Sequence, residues 1–276
     1  MDTKTSPSIL PVLRWAGGKR WLWQKYPELF PKDINNYFEP FLGGAAIFYK
    51  LKSENTIIGN CYLNDVNADL INFYECLKYD AKLFCSTVSK WDNNEQTYYT
   101  LRQASPNSKM EQACIFYYLN RYSFNGIYRV NQKGEYNVPY GNKTYADLVP
   151  IEELHLASSA IQKVNFSNLD FSHILHKSNP GDFVFIDPPY TVAHNNNGFI
   201  KYNQKIFSWD DQIKLRDMVR ELADRDVRFV VTNADHESIN NLYLGIGRKQ
   251  IVSRFSVVGG KFANRKKYTE LVITND

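Results

Sequence analysis

Near the middle of the second half the chain reads "DFVFIDPPY". Phe183, Val184, Phe185 and Ile186 make an apolar run of strand length that stops at Asp187-Pro188-Pro189-Tyr190. Neither proline has an N–H to give to a ladder, so the strand must end there. Its tip then presents a carboxylate, a carbonyl held in a rigid double proline, and an aromatic ring. Such groups accept hydrogen bonds and stack on flat ligands. In open α/β sheets ligands sit at the carboxyl ends of strands.

Other residues narrow the ligand. Gly17-Gly18 and Gly43-Gly44 stand at strand-to-helix turns, where glycine lets backbone N–H groups come close to a ligand or simply makes a turn. There is no G-x-G-x-x-G and no Walker A lysine, which disfavours a nicotinamide cofactor or a nucleoside triphosphate. Asp65, in "LNDVNADLI", follows the second glycine pair by about 20 residues, the spacing of a ribose-binding acid in doubly wound folds. Its alternative role is the N-cap of the next helix. Asp170, in "NLDF", fits a cap or an acceptor for an adenine amine. A ribosylated adenine that is neither NAD nor ATP suggests S-adenosyl-L-methionine (AdoMet).

The elements that must position these groups alternate. "NYFEPF" leads into "LGGAAIFYKL", and "TIIGNCYLNDVN" into "ADLINFYECLK", the pattern of a parallel sheet covered by helices. Sheet-like sequence resumes with "IQKVNFSNLDF", "DFVFIDPPY", "VRFVVTNAD" and "YTELVITN". Ser208 and Asp211 form a capping box for a helix whose apolar face is Ile213, Leu215, Met218, Val219 and Leu222. Between these parts, residues 70–159 read as helices followed by a hairpin, "FNGIYRVNQKGEYNVPYG". We therefore expect an α/β domain, residues 1–69 and 160–276, interrupted by an inserted domain, residues 70–159.

The 276 residues are 43% hydrophobic and 22% charged, which excludes a globally disordered chain. The net charge of +4 is mild, but residues 238–269 carry seven cations and no acid, either a solvated face or a phosphate-binding surface. They are Arg248, Lys249, Arg254, Lys261, Arg265, Lys266 and Lys267. The four cysteines lack CxxC spacing and, with no signal peptide or membrane-length apolar run, are expected as reduced thiols of a cytosolic protein. None follows a proline, so the Pro-Cys nucleophile of cytosine-C5 methylation is missing. His173 and His176 have no acidic or cysteine company, and no metal is expected.

Taken together, "LRWAGGK", "YFEPFLGGAAIFYKL", "LNDVNADLI", the hairpin, "NLDF", "DFVFIDPPY" and "RKKYTELVITN" resemble the Dam-type (D12 class) DNA adenine-N6 methyltransferases over nearly the whole chain. The resemblance implies a Rossmann-like AdoMet-dependent methyltransferase fold with a mostly parallel sheet and an inserted target-recognition domain. It also implies catalysis by Asp187, Pro188 and Tyr190 on an adenine flipped out of duplex DNA. Adenine N6 is a poor nucleophile because its lone pair is delocalised into the ring. Asp187 and the Pro188 carbonyl can each accept one N6 hydrogen, and Tyr190 can stack on the base, which amounts to positioning plus electrostatic stabilisation. The loop "HNNNGFIKYNQ" could close over the extruded base.

By the same resemblance Trp15, Ala16, Gly17 and Lys19 hold the methionine end of AdoMet, and Glu39, Pro40 and Phe41 line its pocket. Asp65 takes the ribose, Asp170 and Phe171 the adenine, and Asp187 borders the cofactor. The hairpin interleaves Arg121, Arg129, Lys133 and Lys143 with Tyr122, Phe124, Tyr128, Tyr136 and Tyr140, which suits insertion into a groove. Arg129 falls on a guanine-reading arginine of GATC enzymes, Phe124 and Asn125 on residues that enter the stack, and Ile127 and Pro139 on apolar contacts. Asn142 and Lys143 depart from the family pattern, with Lys143 retained as a DNA-binding residue. Double-stranded DNA is the expected partner of a monomer or weak dimer in the cytoplasm, at the nucleoid, with a cognate restriction endonuclease as a further partner. Asp187 distinguishes the chain from relatives that carry Ser or Asn there and modify cytosine N4 or protein glutamine. A DNA-binding regulator with a dead site is the reading from another class, and the intact Asp65 and Asp187 speak against it.

Overall fold

The computed structural model describes residues 8–131, 134–142, 149–192, 207–255 and 267–275. Seven strands appear among them: β1 (Tyr37–Glu39), β2 (Cys61–Asn64), β3 (Val164–Ser167), β4 (Phe183–Ile186), β5 (Arg228–Ala234), β6 (Arg248–Phe255) and β7 (Lys267–Thr274). They form one sheet in the order β3-β2-β1-β4-β5-β7-β6. β4 pairs in parallel with β1 and β5, while β7 runs antiparallel to β5 and β6. All four residues of β4 are buried, as an apolar strand flanked on both edges in a covered sheet should be. The expected α/β class holds.

Strand order locates a ligand crevice that spacing alone cannot. From β1 the chain goes outward to β2 and β3; from β4 it goes the other way, to β5. β1 and β4 are therefore the neighbours at which the winding reverses, and their carboxyl ends flank the crevice of such a sheet. One ends in Glu39-Pro40-Phe41, the other in Asp187-Pro188-Pro189. Both tips carry an acid followed by proline, so neither strand can extend over the crevice.

The helices are α1 (Arg20–Lys25), α2 (Ala46–Ser53), α3 (Ala68–Tyr79), α4 (Ala81–Val88), α5 (Glu95–Gln103), α6 (Lys109–Tyr122), α7 (Ile151–Ile161), α8 (Ser172–Leu175), α9 (Trp209–Asp224) and α10 (Glu237–Leu242). The chain forms two compact units. One comprises Met1–Trp23, Leu42–Thr56 and Leu63–Leu169; the other, Gln24–Phe41, Ile57–Tyr62 and Asp170–Asp276. In the first, α3 packs on α6, and Tyr98 of α5 joins Tyr118, Leu119 and Tyr122 of α6 in a hydrophobic cluster. In the second, the apolar faces of β4 and β5 pack with α9.

The capping box of α9 forms as expected: the Asp211 N–H donates to Ser208 Oγ, and the Ser208 N–H to Asp211 Oδ2. One position of its predicted face differs. Ile213 is half-buried, and Gln212 is buried instead, its Oε1 accepting from Asn233 Nδ2 of β5 at 3.0 Å. β6 was not anticipated; it runs through the stretch read as a basic face, and its pairing with β7 sets Arg254 beside Tyr268.

Candidate active site

The tip of β4 is held from β5 beside it and from β7 and β6 beyond. Ile186 pairs with Val231, so Thr232 of β5 comes level with Asp187, and its hydroxyl donates to Asp187 Oδ1 at 2.5 Å. That bond sets the plane of the carboxylate. Pro188 is buried, and Tyr190 is half-buried. The Tyr190 hydroxyl donates to Glu270 Oε2 at 2.8 Å, and Arg254 Nε donates to the other oxygen, Oε1, at 3.2 Å. Burial, followed by the charges of Glu270 and Asp187, pushes the Tyr190 phenol well above its ordinary range. It therefore stays protonated and remains a donor.

Glu39, at the tip of β1, is buried, and the Tyr37 hydroxyl donates to its Oε2 at 2.9 Å. Beyond the buried Pro40, the ring of Phe41 stacks on Phe171 at 5.3 Å and meets the edge of Phe207 at 5.5 Å. Beside them Asp170 Oδ1 accepts from the Ser172 N–H at 2.9 Å, from the Ser172 hydroxyl, and from Lys214 Nζ at 2.7 Å. Asp170 thus caps the start of α8, while its Oδ2 has no hydrogen bond among the described residues. Burial alone would push this carboxyl up; the Lys214 and Ser172 donors outweigh it and hold the group below its usual range. Glu39, Pro40, Phe41, Asp170, Phe171 and Asp187 all belong to this second unit.

The first unit gathers the remaining cofactor candidates. Ala16 and Gly17 are exposed, Trp15 is half-buried, and Lys19 is buried with its ammonium on the Gly17 carbonyl at 2.8 Å. Gly17 has φ +83°, a conformation that costs glycine nothing. The Asn120 side chain fixes the start of this loop by bonding both the N–H and the carbonyl of Arg14. Trp15 stacks on Tyr128 at 5.6 Å and lies so close to Gly43 that a Cβ there would meet Trp15 Cδ1 at 2.8 Å. The Gly43 N–H donates to Asp65 Oδ2 at 3.0 Å, and the Asn67 N–H to Asp65 Oδ1 at 2.9 Å. Burial raises the Asp65 carboxyl, and the two backbone donors oppose the rise. The cap of α3 is Asn67, which accepts from the Leu70 N–H at 3.1 Å, so the capping alternative for Asp65 falls.

The hairpin takes shape as two isolated antiparallel bridges, Ser123 with Tyr140 and Val130 with Tyr136. Its aromatic interleaving is partly core. Tyr122 is buried, the Tyr136 hydroxyl bonds the Ile127 carbonyl at 2.8 Å, and Tyr140 bonds Asn93. Arg121 belongs to α6 rather than to the ribbon. What remains outward is a smaller set: Phe124, 52% exposed, Asn125 at φ +57°, Arg129 and Pro139. The Phe124 N–H donates to the Pro139 carbonyl, joining two of the predicted contact residues, while Ile127 is half-buried. Arg129 Nε donates to Asn137 Oδ1 at 2.8 Å, and its terminal nitrogens make no hydrogen bond among the described residues. Lys133, Lys143 and the loop after Val192 lie outside the described residues. So do Lys261, Arg265, Lys266 and the side chain of Lys267. Of the other cations in that stretch, Arg254 is paired with Glu270, Lys249 bonds the Asn240 carbonyl, and Arg248 is exposed.

A model of the D12 class of N6 adenine-specific DNA methyltransferases matches residues 15–258. The chain belongs to this family. The methyltransferase is 31% identical over 282 residues to the Type II methyltransferase M1.LlaDCHI of Lactococcus lactis subsp. cremoris, covering 99% of this chain and 97% of the relative. It is 29% identical to the DNA adenine methylase of Vibrio cholerae, with 94% of each covered. It is also 32% identical to the DNA N-6-adenine-methyltransferase of Escherichia phage P1, over 84% of this chain and 31% of that longer protein. The family is AdoMet-dependent, and the donor set fits: Asp65 spends one lone pair of each oxygen on a backbone N–H and retains others for ribose hydroxyls, and Asp170 Oδ2 is open to an adenine amine.

Sequence reasoning passed over Thr232 and Glu270, and singled out Arg254 only as one cation of a basic stretch. One signal was present: Glu270 is the only charge in "YTELVITN" and directly precedes the apolar run Leu271, Val272 and Ile273, where a charge must have partners.

Proposed function

We propose that the methyltransferase transfers a methyl group from AdoMet to N6 of an adenine extruded from duplex DNA, in the sequence GATC. The observation that carries this reading is the placement of Asp187 at the reversal point of the sheet, with its carboxylate held by Thr232. When bound, AdoMet supplies an electrophilic methyl group on a sulfonium. Asp187 accepts one N6 hydrogen and the Pro188 carbonyl the other, which localises the nitrogen lone pair and aims it. Tyr190 stacks on the base. The proton leaves after methylation, once N6 has become acidic, so Asp187 serves chiefly as an acceptor. A duplex adenine cannot reach such a site without flipping.

Trp15, Ala16, Gly17 and Lys19 hold the methionine end, Glu39, Pro40 and Phe41 the pocket wall, Asp65 the ribose, and Asp170 with Phe171 the adenine. The inserted region, residues 70–159, reads the DNA. Asn137 holds Arg129 by Nε, which leaves the terminal fork for guanine O6 and N7. Phe124 and Asn125 enter the stack, and Ile127 and Pro139 make apolar contacts. A cognate restriction endonuclease is a further partner on this reading.

Long-read mapping of DNA from cells expressing the chain tests the proposal. N6-methyladenine at GATC is expected. Methylation at another sequence refutes the GATC reading and keeps the chemistry; no N6-methyladenine in cells that contain the folded, soluble chain refutes both.

A further inference from the structure

Stacking on a base needs a ring and no hydroxyl. A phenylalanine would do it, yet Tyr190 carries its oxygen away to Glu270, a residue 80 positions later and only 3% exposed. Glu270 sits in β7 opposite Ala234 of β5 and Val252 of β6. Its neighbours along the strand, Leu271, Val272 and Ile273, are buried apolar residues. A fold-only role does not call for this acid, because well-packed apolar residues usually replace a buried ion pair at no loss of stability. Each of its oxygens is instead committed: Oε1 to Arg254 of β6, Oε2 to Tyr190. Arg254 is partly exposed and orients Glu270 through Oε1, which leaves Oε2 to accept from the phenol.

Resting on the proposal that Tyr190 stacks on the target adenine, we infer that Glu270, backed by Arg254, is a positioning residue for methyl transfer. It anchors the far end of the Tyr190 ring and so fixes the tilt of the surface on which the base lies. A ring free to rock would let N6 drift from Asp187 and from the line of attack, and small misplacements cost large factors in rate. Thr232 does for Asp187 what Glu270 does for Tyr190, so the two chemical ends of the tetrapeptide are braced from β5 and from β7, the strand beyond it.

The test measures single-turnover methylation at saturating AdoMet and DNA, with AdoMet affinity measured separately, for Tyr190→Phe, Glu270→Gln, the double variant and Tyr190→Ala. Tyr190→Phe should slow transfer roughly tenfold with AdoMet affinity unchanged. Glu270→Gln should slow it in the parent and add nothing in the Tyr190→Phe background, the sign that it acts through the hydroxyl. Equal slowing in both backgrounds, or a Tyr190→Phe variant at the parental rate, overturns the inference. If Glu270→Gln melts at a lower temperature than the parent, the Tyr190→Phe rate alone decides. Tyr190→Ala separates the two readings. At the parental rate it refutes stacking itself, whereas a slow Tyr190→Ala beside a parental Tyr190→Phe leaves stacking intact and removes the brace.

Discussion

Asp65 and Asp187 are both carboxylates just past the ends of strands, and they are held in opposite ways. Asp65 takes its bonds from the main chain, from Gly43 and from Asn67 two residues on. Asp187 takes a bond from a side chain, Thr232, 45 residues later, and Tyr190 beside it donates to Glu270, 80 residues later. A main-chain donor survives most substitutions, so the seat of Asp65 is sensitive mainly where the backbone path itself is at stake. A side-chain donor is one mutation from absence. Asp65, proposed to bind the cofactor, is thus seated robustly, and Asp187, proposed to act in catalysis, is seated by specific partners that a strand register must deliver.

The largest effect should come from Asp187→Ala, which is expected to abolish methyl transfer while AdoMet still binds. Parental turnover would remove Asp187 from the chemistry and end the contrast. Next, Thr232→Val keeps the shape and deletes the donor. Losing a hydrogen bond to a charged group costs about 1.5–3 kcal/mol, so a fall in rate of about tenfold or more is expected in single-turnover kinetics, with AdoMet affinity unchanged.

Asp65→Ala should do the reverse, weakening AdoMet by about 1–3 kcal/mol in calorimetry and leaving the rate at saturation nearly intact. A slow rate at saturating AdoMet would show that the two acids do not divide binding from chemistry. The backbone seat is testable at Gly43, which has φ +48° and the Trp15 indole where a Cβ would go. Gly43→Ala should lower stability by about 1–3 kcal/mol in denaturant titration; an unchanged midpoint would mean that the loop adapts freely.

The smallest effect concerns Asp170 and Lys214. The carboxyl is held below its ordinary value in the fold, so its contribution to stability is present above the unfolded-state pKa and is lost as pH falls through the lower folded value. The pair is largely exposed, so solvent screening keeps that contribution under about 1 kcal/mol. Lys214→Ala should move the Asp170 titration, followed by NMR, upward toward the ordinary value. No movement would assign the shift to Ser172 alone.

Much of the site was legible in order along the chain. The tetrapeptide announces itself because two prolines after an apolar run can only be a strand end. Asp65 is legible because its spacing from Gly43-Gly44 is a local property of one strand-turn-helix passage. The capping box at Ser208 is local too, and it formed. The hairpin was legible as a turn but not in its facing: Tyr122, Tyr136 and Tyr140 look the same in sequence as Phe124, and only packing against α5 and α6 separates core rings from outward ones.

The sequence by itself determined the α/β class, the family, and which residues could do chemistry, because patterning, turn residues and local motifs act over a few residues. Tertiary structure alone decided that β1 and β4 are neighbours at the reversal of the sheet, that Asn67 rather than Asp65 caps α3, and that Thr232, Glu270 and Arg254 stand behind the tetrapeptide. The physical reason is register. A strand offers alternate side chains to each face, and which of them meets a distant residue depends on a pairing offset that burial of the whole sheet selects.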